Sequence, residues 1–149
     1  MVSWAAFEAA DPELAAEGRR VLHARGDGAA FLATVRATDV PRIHPVTVGI
    51  VAGRLHTFVI VRSSKLADLE QDGRYALHGH LDPAAPSEFS VRGHARLVTD
   101  DAIRTAVAAT WPFTADDRYA LFDLDIESAV LGTRASANDW PPRYRRWSA

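Results

Sequence analysis

Two cations and two hydroxyls follow one another at the end of a predicted strand. Residues 58–61 are apolar, β-branched or aromatic, which suits a covered strand. Leu66 and Leu69 recur afterwards at helical spacing, so a short helix is expected to begin between the two patterns. A helix N-terminus offers free N–H groups and the positive end of the helix dipole, which together favour phosphate. The same pattern also fits a serine cap beside solvated cations. The four polar residues are Arg62, Ser63, Ser64 and Lys65.

Length and composition indicate which classes of protein fit this sequence. The chain has 149 residues, 48% of them hydrophobic, and a net charge of -2, which suits one soluble domain over residues 1–149. This charge does not favour nucleic-acid binding. Without cysteine, disulfides and thiol catalysis are excluded. No apolar run is long enough for a membrane span, and no leader pattern begins the chain, so we expect a cytoplasmic protein.

Periodicity predicts about six strands and three helices. The strands are expected at 30–36, 42–51, 55–61, 74–81, 88–98 and 119–131, with a loop at 82–87. Helices are expected within residues 12–28, at 65–71, and from a cap at 99–101. Residues 1–10 are expected to be a loose lead-in, although Trp4 and Phe7 could dock on another part of the molecule, and 132–149 a tail. Six antiparallel strands in so short a chain favour closure into a barrel.

The last predicted strand carries two opposite patterns. Leu124, Ile126 and Val130 are expected to face inward. The acidic side chains between them are expected to form a solvated face. These are Asp123, Asp125 and Glu127.

Four segments occur in a characteristic order: Gly28–Arg36, Pro41–Thr47, Ser63–Leu69 and Phe89–Leu97. In this order they resemble, over roughly residues 29–131, the pyridoxamine 5'-phosphate oxidase-related, flavin-binding split-barrel superfamily. They are similar to the family's first strand, its flavin-side strand, its phosphate-binding element and a later strand with a Gly-x-Ala core. The resemblance implies a mainly β fold, a six-stranded antiparallel split barrel with about three flanking helices.

The resemblance also implies a cofactor at the interface of a homodimer. FMN is expected, with F420 and then haem as alternatives. By position, the phosphate-binding residues would be Arg42, Ser63 and Lys65, with Ser64 beside them. The residues along the ring would be His44, Pro45, Val46 and Thr47, flanked by Phe58 and Val59. Glu88 stands where the oxidase has a glutamine that contacts flavin from the other subunit.

The sequence departs from the oxidase pattern around the phosphate element. Val59, Ile60 and Val61 replace polar residues, and Ser64 replaces an arginine. The C-terminal substrate segment is absent, unless residues 143–146 replace it, so we do not expect vitamin B6 oxidation. We expect a flavin-binding oxidoreductase that transfers hydride between FMN or F420 and a small organic substrate. The alternatives are a non-catalytic flavin- or haem-binding protein and a cofactor-free homologue.

No residue is identified as catalytic, because no Ser-His-Asp arrangement, Walker loop or dinucleotide-binding glycine motif is visible. A bound cofactor would then supply the reactive group.

Two histidines of one predicted strand were considered as metal ligands. His78 and His80 share a strand face and could bind a metal with His94. Two histidines at this spacing without a carboxylate are more typical of a polar surface, so no metal is predicted. Trp140 and Trp147 would cover a cofactor or fill a dimer interface.

Overall fold

A computed structural model describes residues 1–81 and 87–149. Its strands are β1 (Ala29–Val35), β2 (Pro41–Val51), β3 (Arg54–Ile60), β4 (Arg74–Gly79), β5 (Glu88–Leu97), β6 (Tyr119–Thr133) and β7 (Arg143–Ser148). Its helices are α1 (Trp4–Ala10), α2 (Pro12–Leu22), α3 (Ser64–Gln71) and α4 (Asp101–Ala108). The loop predicted at 82–87 lies mostly outside the described residues. None of the described helices is long and apolar enough to cross a membrane.

Six strands close into an antiparallel barrel. The order is β3-β2-β1-β4-β5-β6, and β3 pairs with β6 to complete the circle. This confirms the predicted mainly β, six-stranded split barrel. The tail adds β7, a seventh strand that pairs with β6 on the side away from β5 and that the sequence pattern did not predict. Among the described residues, four helices flank the barrel where three were expected.

The barrel is split between β2 and β3. The two strands meet in a tight turn at Ala52 and Gly53, which both have positive φ, as a two-residue hairpin requires. They pair only over Val48–Val51 on the β2 side. Beyond that point β3 continues along β6, as far as the pair Ile60 and Tyr119, and β2 continues along β1. A gap between β2 and β3 therefore opens next to the start of α3.

The expectation of a loose lead-in at residues 1–10 is wrong. Ser3 caps α1 by accepting a hydrogen bond from the Ala6 N–H group. Trp4 and Phe7 lie one turn apart on this helix and are both completely buried. Their rings meet edge to face with centroids 5.3 Å apart, and Trp4 also packs on Phe89 of β5. Residues 1–10 thus contribute two of the largest side chains of the core.

The predicted inward face of β6 is correct at one end only. Leu124 and Ile126 are completely buried. In the ladder with β5, Ile126 pairs with Gly93 and Ser128 pairs with Arg92, so Glu127 is an extra residue. This bulge reverses the alternation of side chains beyond it. The buried residues there are Ala129 and Leu131, and the expectation that Val130 faces inward is wrong.

The acidic residues of β6 do not form a solvated face. Asp123 is buried, and Arg54 of β3 forms ion pairs with both Asp123 and Asp125. Arg96 of β5 adds a second ion pair with Asp125, at 2.8 Å. These arginines lie on the strands either side of β6, so the charges are neutralised across the sheet. Glu127 alone remains exposed, at the bulge.

Candidate functional site

A cavity of about 270 Å³ lies in the gap between β2 and β3, and we call it the split pocket. β2 and β3 form two of its walls, and the first turn of α3 supplies a cation. One aromatic ring comes from the segment that precedes β6 and a second from the first residue of β6. The lining residues are Pro45, Val46, Thr47, Phe58, Ile60, Lys65, Phe113 and Tyr119. The structure thus brings together five of the ten predicted site residues in one concave surface.

The backbone of β2 faces this pocket with its unpaired edge. The Thr47 carbonyl accepts a hydrogen bond of 2.9 Å from the Thr57 hydroxyl on β3, so Thr47 is oriented toward β3. Backbone groups two residues apart on a strand point to the same side. The Pro45 carbonyl therefore points into the gap as well. Because proline has no N–H group, this position leaves no backbone donor unpaired. The backbone groups of this edge can form hydrogen bonds with the polar edge of a planar heterocycle.

Lys65 lies at the first turn of α3, where the predicted helix begins. Its side chain is half-buried, and this burial lowers the pKa of Lys65. The Ser63 hydroxyl is the N-cap and accepts a hydrogen bond from the Leu66 N–H group at 3.4 Å. The serine cap considered from the sequence is therefore present, and the Ser63 hydroxyl hydrogen is still available to an anion. Ser64 is exposed at the first helical position.

Arg42 is joined to a buried polar cluster beside the pocket. Its Nε lies 3.6 Å from the Asp68 carboxylate, and the Thr34 hydroxyl donates to the same oxygen at 2.8 Å. Asp68 is on the inner side of α3 and Thr34 is on β1, and both are buried. His44 Nε2 lies 3.4 Å from the Thr34 hydroxyl. We call Thr34, Arg42, His44 and Asp68 the Asp68 cluster.

The surroundings of His44 disfavour its protonated form and so lower its pKa. Burial is the main cause that lowers the pKa of His44, and the cations Lys65 and Arg42 lower it further. Asp68 acts in the opposite direction without reversing the shift. Because one carboxylate and two cations act on the same imidazole, the split pocket and the Asp68 cluster form one electrostatic unit.

Val59 does not belong to this site by its side chain. It is completely buried and packs inside the barrel, because it points away from the strand face that carries Phe58 and Ile60. Phe58 belongs to a separate apolar cluster outside the barrel, where it packs edge to face on Trp111 at 5.0 Å. Of the two predicted flanking residues, only Phe58 is in contact with the pocket.

Five residues of the site were missed from the sequence: Thr34, Ile60, Asp68, Phe113 and Tyr119. Asp68 did carry a signal, because it lies between Leu66 and Leu69, near the apolar side of a short helix. A charged residue in that place needs a buried partner. Phe113 follows α4 in an irregular segment, and nothing local in the sequence indicates that its ring lies 5.1 Å from Tyr119.

The other residues considered for a site lie elsewhere. His78 Nδ1 is 2.7 Å from the Gly79 carbonyl, and the His80 ring stacks on Phe31 at 4.5 Å. No group of three potential metal ligands occurs among the described residues. Glu88 forms a hydrogen bond with Tyr144 and thereby raises the pKa of that phenol.

The two tryptophans of the tail have different surroundings. Trp147 packs on Phe7 of α1 at 4.8 Å, and so it helps to cover the N-terminal helix. Trp140 is largely exposed, with the Arg134 guanidinium 5.7 Å from its ring centroid. Neither tryptophan lines the split pocket.

The fold is that of the pyridoxamine 5'-phosphate oxidase-like split barrels. A pyridoxamine 5'-phosphate oxidase-related, FMN binding protein from Nostoc punctiforme is similar over 96% of both chains, with a TM-score of 0.63 and 15% identity. A structure described as an F420 reductase is similar over 68% of this chain and 87% of its own, with a TM-score of 0.55 and 18% identity.

A third similar structure is a heme binding protein from Mycobacterium smegmatis, with a TM-score of 0.65 and 17% identity. This chain is covered over 89% of its length and spans 57% of that protein. No protein-family model matches the sequence, and no curated protein shows significant sequence similarity to it. At these identities the likeness is one of fold.

Proposed function

We propose that this chain binds a flavin nucleotide, FMN or the deazaflavin F420, in the split pocket and exchanges a hydride between it and a small organic substrate. The observation that carries the proposal is the convergence of a half-buried cation, an unpaired strand edge and aromatic walls in one cavity. The cation can bind the phosphate of a flavin nucleotide, the strand edge can form hydrogen bonds with the polar edge of the ring, and the aromatic walls can pack on the apolar faces of the ring.

The donor set fits such a cofactor. Lys65, the Ser63 hydroxyl and the first N–H groups of α3 can hold a phosphate. Phe58, Phe113 and Tyr119 can pack against the ring. The bound flavin would supply the hydride chemistry, and the chain would orient the ring, shield it from water and balance the charge of its phosphate.

The pocket alone is too small to enclose a whole nucleotide. Ligand cavities in proteins usually measure about 300–1,000 Å³. At about 270 Å³, the split pocket holds part of such a ligand and leaves the remainder at the surface. We therefore propose that a second copy of the chain closes the site in a homodimer.

A non-catalytic binding function is the second candidate. Lys65 and Tyr119 are the only titratable residues among the described residues of the pocket lining, so no obvious carboxylic acid or imidazole is placed for proton transfer. Tyr119 also offers a phenol oxygen, and tyrosine is a known haem ligand. A carrier of flavin or haem would need nothing more than this pocket provides.

Titration with FMN, F420 and haem separates these candidates. We expect saturable binding of FMN or F420, seen as a change in the visible spectrum and in fluorescence. The reduced complex should then pass hydride to a quinone faster than the free reduced cofactor does. Binding without faster turnover would support the carrier, and a Soret shift with haem alone would support haem binding. Absence of binding for all three would contradict the proposal.

A further inference from the structure

Asp68 brings a buried negative charge to a site that would bind an anion. Its carboxylate is 6% exposed, and Arg42 and Thr34 both contact the same oxygen. A carboxylate in this position competes with a bound phosphate for the Arg42 guanidinium. It also repels a phosphate through an environment that water screens weakly.

The charges of the site can be counted. Arg42 and Lys65 are cations, Asp68 is an anion, and His44 is neutral near pH 7.5 because its pKa is lowered. Two positive charges and one negative charge leave a net charge of +1. The next charged residues along the chain, Arg62 and Glu70, are exposed to water and therefore screened.

We propose that Asp68 shifts the selectivity of this site toward a singly charged phosphate, as in a phosphodiester, and away from a doubly charged phosphomonoester. The inference rests on the proposed function and deepens it, since it concerns the phosphate of the same cofactor. FMN carries a monoester, whereas F420 carries a diester. Asp68 would act here as a positioning and selectivity residue, through Arg42, without touching the ring.

Two probes with the same ring test this in the wild type and in charge variants. The first is FMN, whose phosphate gains its second charge with a pKa of about 6. The second is the methyl ester of FMN, a diester that keeps one charge. At pH 5 both probes carry about one charge and should respond alike to the charge of Asp68, whereas at pH 8 FMN carries a second charge that Asp68 repels. His44 is neutral at pH 8, where the two probes are compared.

Variants then assign the effect to Asp68. Asp68→Asn keeps the acceptor for Thr34 and removes the charge, so at pH 8 the FMN Kd should fall about tenfold more than the diester Kd. The double variant Arg42→Met/Asp68→Asn returns the count to +1 and should restore the wild-type ratio. Glu70→Gln, on the exposed side of α3, removes the same charge from the helix and should leave the ratio unchanged.

If Asp68 had a purely structural role, Asp68→Asn would weaken the binding of both probes to the same extent. Equal gains for both probes in Asp68→Asn at pH 8 would overturn the inference while leaving flavin binding intact. Where Asp68→Asn alone does not fold, the double variant provides the second test, and a ratio at pH 8 that differs from the wild-type ratio would also overturn the inference. If neither probe binds, this inference and the proposed function fail together.

Discussion

Lys65 is the single side chain on which anion binding depends most directly. It lines the split pocket and is half-buried, so a charge-assisted hydrogen bond to phosphate would be shielded from water. Lys65→Ala should weaken FMN binding by about 1.5–3 kcal/mol, as measured by isothermal titration. The matched control is Arg62→Ala, which removes an exposed cation three residues earlier and should change affinity by less than about 0.5 kcal/mol. Equal losses in both variants would point to general electrostatic attraction.

His56 predicts a pH dependence of stability at the same scale. It is 2% exposed, opposite Asp123 in the β3–β6 ladder, and burial is the main cause that lowers its pKa. The unfolded chain takes up this proton near pH 6.5 and the folded chain only at lower pH, so stability falls as pH drops below about 6.5. The contribution approaches about 1.4 kcal/mol per pH unit.

The variant His56→Gln isolates this contribution. Urea unfolding of the wild type and the variant at several pH values between 5 and 8 gives two profiles. We expect the free energy of unfolding to decline less steeply toward acid in the variant, because the proton uptake of the unfolded chain is gone. Parallel profiles would show that His56 does not titrate differently on folding.

Among the elements, α1 makes the clearest stability prediction. The helix has only seven residues, so its stability must come from packing more than from helix propensity. Trp4→Ala should lower the free energy of unfolding by about 3–5 kcal/mol, since a completely buried tryptophan is lost. Ala6→Ser, on the exposed side of the same helix, should cost less than about 0.5 kcal/mol. A small loss for Trp4→Ala would mean that α1 detaches at little cost.

The element scale also shows where sequence patterns succeed and fail. Strand alternation and turn residues were sufficient to predict six strands, because those patterns are local. Their closure was predicted from the number of strands, since a barrel leaves no exposed sheet edge. The inward face of β6 was predicted only up to the bulge at Glu127, since a single extra residue becomes visible only in the pairing with β5.

Long-range contacts account for the rest of what was missed. Asp123 forms an ion pair with Arg54, which is 69 residues away in the sequence. The acidic residues that were expected to face solvent are therefore partly neutralised by a contact that local patterns do not reveal. The helix start at Ser63 and Ser64 was predicted correctly, because serine caps and helical spacing are local signals. Phe113 lines the pocket only because of the tertiary fold, and no local sequence pattern predicts its position. The sequence thus predicts the polar half of the split pocket better than its aromatic half.

At the scale of the whole molecule, the barrel leaves one apolar sheet face exposed. Phe31 of β1 pairs with Pro45 of β2, and Ala33 pairs with Ile43, so these four side chains share one face. Ile43 is 71% exposed and Phe31 is 40% exposed. Exposed apolar side chains grouped in this way are typical of an interaction surface. Because Pro45 also lines the split pocket, a second chain on this face would lie against the open side of the pocket.

Ile43→Asp should therefore convert a dimer into a monomer. A carboxylate on each chain would have to be desolvated at the centre of the interface, which costs several kcal/mol. Sedimentation equilibrium should give the mass of two chains for the wild type and of one chain for the variant, and FMN affinity should fall with the loss of the second wall. Ile103→Asp, the same substitution at an exposed isoleucine of α4, should remain dimeric. A wild-type protein that is monomeric yet binds FMN fully would show that the split pocket is complete within one chain.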